Sequence, residues 1–388
     1  MLEINKIHKM DAREGLKMLP DQSVDCVVSS PPFWALRDYG ESAAVIWDGD
    51  QKCDHEFFEY GARLAHENRQ NLDGGTIGNP KYREKLHGFG NAMAGFCSKC
   101  SAWKGQLGLE PIFELYLAHL LQIFGEIERV LKPTGTLWLH LGDTYSGSWG
   151  NYAPNGIKGT QRARTKAGQR WQRKAYQDTR LRPASSFQQS VKEKSLCVIP
   201  ERFAVALLER GWILRNTVIW HKPNCMPSSA KDRFTVDYER LLFFVKSKKY
   251  FFDQQCEQHP NRNSGNKQRK IYNQGQNARM NTHMGESIPW EPNSCGRNKR
   301  CVWKIATKPF SKAHFAVFPE QLIETPIRAG CPQGGLVLDP FMGSGTTAVV
   351  AKKFGRNFLG FEINPQYVKM AGQRLAAEKK REVDRHAA

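Results

Sequence analysis

Gly335-Leu336-Val337-Leu338-Asp339-Pro340-Phe341-Met342-Gly343-Ser344-Gly345-Thr346-Thr347 is the stretch on which the fold turns. The apolar run at its start predicts a strand over 335–338. Asp-Pro ends that strand, and Gly343-Ser344-Gly345 lets the backbone approach a ligand closely. A helix predicted over 346–354, closed by Gly355, then aims its free N–H groups and positive dipole end at the same ligand. Gly343, Gly345 and Ala348 fit the dinucleotide fingerprint. Glu362, at the tip of the next predicted strand (358–361), stands at the distance of a ribose-hydroxyl acceptor. No lysine follows the last glycine, which argues against a phosphate-binding P-loop and for an adenosine-containing cofactor.

The pattern repeats on both sides of this stretch. A strand is predicted over 24–29, a helix over 112–130 and a strand over 136–141, the last two joined by Pro133-Thr134-Gly135. A helix over 200–210, a strand over 212–220, a helix over 318–329 and a final helix over 365–378 complete the series. Strand–helix alternation implies an α/β fold: a mostly parallel sheet with helices on both faces. The strand over 24–29 runs into Ser30-Pro31-Pro32-Phe33-Trp34, a proline-stiffened, aromatic-tipped loop suited to gripping a planar base.

Three polar segments interrupt the pattern, at 41–110, 144–196 and 260–304. The second carries Lys158, Arg162, Arg164, Lys166, Arg170 and Arg173 with hardly an acid among them, and the third mixes Arg262, Lys267, Arg269 and Lys270 with Tyr272 and Trp290. The whole chain of 388 residues has a formal charge of +19. Such an excess points to a polyanionic partner, and basic residues interleaved with Asn, Gln and aromatics suit phosphate and base contact in DNA. No apolar run approaches the roughly 20 residues of a spanning helix, so no membrane partner is expected. A cytoplasmic location follows, with the ten cysteines as reduced thiols or metal ligands. In the first insert, Cys53-x-His55 and Cys97-x-x-Cys100 form a candidate tetrahedral structural zinc site.

Together the two loops resemble the S-adenosylmethionine-dependent amino-methyltransferases of DNA. The resemblance implies a Rossmann-like methyltransferase fold with the cofactor's methionine part on Asp339 to Thr347, including Pro340, Phe341, Gly343, Ser344, Gly345 and Thr346, and its ribose on Glu362. It places Phe315, within His314-Phe315-Ala316-Val317-Phe318-Pro319, in the cofactor pocket, and Asp11 near the adenine. Ser30, Pro31, Pro32 and Phe33 match the family's (Ser/Asp/Asn)-Pro-Pro-aromatic catalytic motif. There Ser30 and the Pro31 carbonyl would accept the hydrogens of an exocyclic amine, and Phe33 would stack on a base flipped out of the duplex. The permuted order, catalytic motif first and cofactor motif last, is that of the β group. It implies a methyltransferase core of residues 1–40, 111–143, 197–223 and 311–382, with target recognition in 224–310. Serine in the motif resembles cytosine-N4 enzymes acting on double-stranded DNA, with adenine-N6 as the alternative. A partner restriction endonuclease belongs to the same expectation, and so does a bacterial or phage-encoded source. A DNA-binding protein that keeps the fold without the activity is the reading of another class.

Overall fold

The structure, a computed structural model, describes residues 2–36, 39, 41–57, 95–110, 112–146, 191–192, 194–228, 230–258, 296–307 and 318–387. The central sheet runs, edge to edge, through β1 (Lys6–His8), β13 (Asn357–Phe361), β12 (Leu336–Asp339), β2 (Val24–Ser29), β6 (Leu131–Leu141), β8 (Tyr238–Val245), β7 (Ile213–His221) and β11 (Val302–Lys304). Neighbours are parallel from β1 to β6 and between β7 and β11, whereas β8 is antiparallel to both β6 and β7. This is the expected mostly parallel α/β sheet.

Both faces are covered, and the strands show why. Val24, Val27, Leu137, Leu139, Leu242 and Phe244 point to one core with α1 (Ala12–Lys17), α2 (Phe113–Val130) and α3 (Ile199–Glu209). Cys26, Val28, Trp138, Leu241, Phe243 and Val245 point to the other, with α4 (Glu320–Gly330) and α5 (Thr346–Lys353). Alternation along each strand is the period of two that a sheet imposes. Each fully buried Leu or Phe contributes about 1.5–3 kcal/mol, so the two-faced strands anchor the fold. The last helix, α6 (Pro365–Ala387), runs past the predicted end at 378.

Several expectations need correction. The segment 224–310 does not stand apart from the core, because it supplies β8 and β11 to the central sheet. The run Leu241-Leu242-Phe243-Phe244-Val245 is apolar enough to be buried on both faces, and it outweighs its basic surroundings. Most of the rest of that segment, like most of 144–196, lies outside the described residues. β1 is a short edge strand whose three residues carry little pattern. Pro133-Thr134-Gly135 lies inside β6 instead of before it. It forms an excursion there, since Val24 pairs with Leu131 but Cys26 with Thr136.

The first insert is not loose either. It forms a small antiparallel sheet of β3 (Val45–Trp47), β5 (Trp103–Gly105) and β4 (Gly95–Phe96), and its Trp47, Trp103 and Leu107 join the core under α2. Cys256, in β9 (Cys256–Glu257), is disulfide-bonded, contrary to the all-thiol expectation. No helix among the described residues is long and apolar enough to cross a membrane.

Candidate active site

The tips of β2 and β12 are neighbours in the sheet, and one carboxylate ties them. Asp339 accepts hydrogen bonds from the Ser29 hydroxyl (2.7 Å), the Thr347 hydroxyl (2.6 Å) and the Phe341 amide (3.0 Å). Burial pushes its pKa up to about 6 against the pull of these donors. Asp339 was expected on the cofactor, but its carboxylate is spent inside the protein, and neither it nor Gly345 lines the adjoining cavity. Gly345 serves the turn itself: its φ is +82°, and a Cβ there would sit 2.7 Å from that of Ala371 on α6. Gly343, at φ +53°, has open space where a Cβ would go, as a ligand-facing turn requires.

A cavity of about 280 Å³ opens over these tips, at the carboxyl ends of the parallel strands where open α/β sheets bind ligands. Asp11, Pro340, Phe341, Gly343, Ser344, Thr346 and Glu362 line it on one side, and Ser30, Pro31, Pro32 and Phe33 on the other. The two sequence motifs, more than 300 residues apart, therefore share one site. Phe315 lies outside the described residues.

On the glycine-turn side, Glu362 accepts from the Gly343 and Asn364 amides, both at 2.8 Å. Burial pushes its pKa up to about 7. Asp11 caps α1, accepting from the Arg13 amide at 2.9 Å, and the Arg13 guanidinium lies 4.0 Å over Trp47, a wall of the same cavity. Behind the turn, Arg374 of α6 donates to the Ser344 carbonyl (3.0 Å), the Thr346 hydroxyl (2.8 Å) and Glu320 (3.1 Å). Sequence reasoning passed over Arg374, which looks like one more surface charge on a helix.

On the Ser30 side, the Ser30 hydroxyl lies 3.0 Å from His140 Nδ1, and His140 Nε2 lies 2.7 Å from Glu239, which also pairs with Lys222. Burial raises the Glu239 pKa, but His140 and Lys222 outweigh it and hold the carboxyl down at about 2. An ionised Glu239 only accepts, so His140 Nε2 carries the hydrogen between them. Phe33 meets His140 edge-on at 5.3 Å, and Tyr116 OH donates to the Pro32 carbonyl at 2.7 Å, fixing the loop. Trp34, by contrast, is buried core whose indole donates to the Glu110 carbonyl.

His140, Glu239 and Lys222 were not singled out from sequence. His140 is the one polar residue within the apolar run Leu137 to Leu141, a usable signal. Glu239 sits on the strand the sequence reading missed. Cys53, His55, Cys97 and Cys100 do come together, in the first insert.

Residues 24–373 match the N6_N4_Mtase family, a family of DNA methylase. The chain is 34% identical over 381 residues to type II methyltransferase M.Cfr9I of Citrobacter freundii, covering 97% of this chain and 90% of that one. It is 33% identical over 369 residues to M.XycI of Xanthomonas campestris pv. cyanopsidis, covering 95% and 86%. With M.SmaI of Serratia marcescens it shares 30% over 370 residues, covering 95% and 90%.

Proposed function

The chain belongs to the N6/N4 family of DNA methylases, and from that premise we propose that it methylates the exocyclic N4 amine of a flipped cytosine in double-stranded DNA, with S-adenosylmethionine as donor. The observation that carries the reading is the cavity itself, which holds the Ser30 loop and the Gly343 turn in one space. Glu362, Asp11 and the backbone from Pro340 to Thr346 fit an adenosine-bearing amino acid: an anionic acceptor for ribose hydroxyls, an acid at the far end and an open glycine turn between. When bound, the cofactor supplies an electrophilic methyl group on a positively charged sulfur.

The chain's own residues prepare the amine. An amine conjugated to a pyrimidine ring is a weak nucleophile, because its lone pair is delocalised. Ser30 and the Pro31 carbonyl accept its two hydrogens and turn the lone pair toward the methyl donor, and the two prolines hold that geometry beforehand. The bound cofactor would supply the methyl group and keep the C–S electron pair on its sulfur, and the methylated amine would then be acidic. Its proton passes to Ser30 Oγ while the hydroxyl proton moves to His140 Nδ1, and the N–H electron pair stays on nitrogen. The resulting imidazolium rests against Glu239, 2.7 Å away.

Ser30, in place of the aspartate more usual in adenine-N6 enzymes, supports cytosine. A hydroxyl accepts without adding a charge beside the base. The relatives' type II designation supports a cognate restriction endonuclease and a cytoplasmic setting with genomic DNA. Mass spectrometry of nucleosides from DNA treated with the protein is expected to show N4-methylcytosine. N6-methyladenine alone would overturn the base, and no methylated nucleoside would leave a DNA-binding protein without activity.

A further inference from the structure

The four residues of the first insert take no part in methyl transfer. Their ligand atoms, three sulfurs and one imidazole nitrogen, all lie within 4.8 Å of one another, although Cys53 and Cys97 are 44 positions apart. Cys53 Sγ is 3.9 Å from Cys97 Sγ, and Cys100 Sγ is 3.3 Å from His55 Nδ1. A tetrahedral zinc ion, with bonds of about 2.3 Å to sulfur and about 2.0 Å to nitrogen, places sulfurs about 3.8 Å apart and sulfur about 3.5 Å from nitrogen. These two separations match those edges, and the sulfur pair is far from the roughly 2.05 Å of a disulfide.

The backbone is arranged to serve the sulfurs. The Cys97–Cys100 turn closes with Ser101 N on the Cys97 carbonyl (3.0 Å) and Cys97 N on that of Ala102 (2.7 Å), and the Lys99 amide donates to Cys97 Sγ at 3.4 Å. Gly49, at φ +77°, passes so close that a Cβ would lie 2.9 Å from Cys100 Sγ. Soft thiolates with one imidazole select zinc over hard cations, and four protein ligands leave no open position for catalysis.

We propose that Cys53, His55, Cys97 and Cys100 hold a structural zinc ion that fastens the first insert as the outer wall of the active site. The insert needs such a staple. Its strands are two or three residues long, below what an isolated sheet sustains. Yet Trp47, Gln106 and Leu107 from it line the cavity. The Gly108 carbonyl holds the Ala35 amide at 2.8 Å, and the Glu110 carbonyl holds the Trp34 indole at 2.9 Å. The metal thus supports the segment that braces the Ser30 loop from behind.

The test is metal content of the full chain, purified without added zinc and read by plasma mass spectrometry. About one zinc per chain is expected. Replacement by cobalt(II) should give tetrahedral d–d bands and a thiolate charge-transfer band. Cys100→Ser should lose the metal and lower the melting temperature, while His55→Cys should keep the metal and change only the cobalt spectrum, separating ligand loss from misfolding. Folded protein that is metal-free, or that holds iron in place of zinc, and whose melting temperature a chelator does not move, overturns the proposal. Neither DNA nor methyl donor enters these measurements, so their failure would leave the methyl-transfer reading standing.

Discussion

Burial sets the chemistry of Glu362. Glu362 is pushed up to about 7 by burial, from an ordinary 4.5. In the proposed reading ribose hydroxyls donate to the ionised Glu362 carboxylate, so cofactor binding would have to expel any proton held there. Affinity is therefore expected to fall as pH drops below about 7, approaching tenfold per unit, and to level off above it. Titration calorimetry of the protein with cofactor at pH 6 and pH 8 (roughly one unit either side of that value) checks this, and Glu362→Gln should flatten the profile. The same raised pKa makes the cofactor-free fold lose stability as pH rises from 4.5 toward 7, since the folded state holds a proton that the unfolded state has released. At the other wall, His140→Ala is expected to lower kcat by about 10²–10⁴-fold, the range of a lost general base, with cofactor affinity unchanged. Ser30→Ala should cost about as much, and the double variant little more, because the two act on one proton. Losses that multiply would mean they act separately.

At the scale of elements, close backbone passages decide which helix or strand tip can carry the site. Gly142 follows β6 and lies against Phe33, where a Cβ would meet the ring at 2.5 Å. Gly142→Ala must displace that ring, at a cost of about 1–3 kcal/mol. The expected result is a large drop in methyl transfer with a modest fall in melting temperature. Gly125→Ala, inside α2 with nothing within 4 Å, should instead stabilise by about 0.5–1 kcal/mol and spare activity. Equal effects of the two on activity would contradict the role given to Phe33. The same steric logic explains the Gly345 turn, where α5 begins so near α6 that only glycine fits.

Across the whole molecule, the charge of +19 governs encounter with DNA. Each phosphate contact releases counterions, so KM for DNA should rise steeply, by roughly a hundredfold or more, between about 50 and 200 mM salt. Cofactor affinity should hardly move over that range. A KM for DNA insensitive to salt would detach the charge from the function. Much of this protein was legible in its sequence. Local patterns mark β2, β12, α5 and their loops because strand, turn and helix propensities act over a few residues. The Ser30 and Gly343 motifs, the candidate zinc ligands and the sense of the charge are local or additive properties in the same way. Only the tertiary structure decided that β8 and β11 belong to the central sheet, that the first insert walls the cavity, and that Asp339 serves as an internal tie. It also decided that His140, Glu239 and Lys222 stand behind Ser30. Those partners come from strands far apart in the chain, and hydrogen bonds between them depend on strand order and register, which no local pattern encodes.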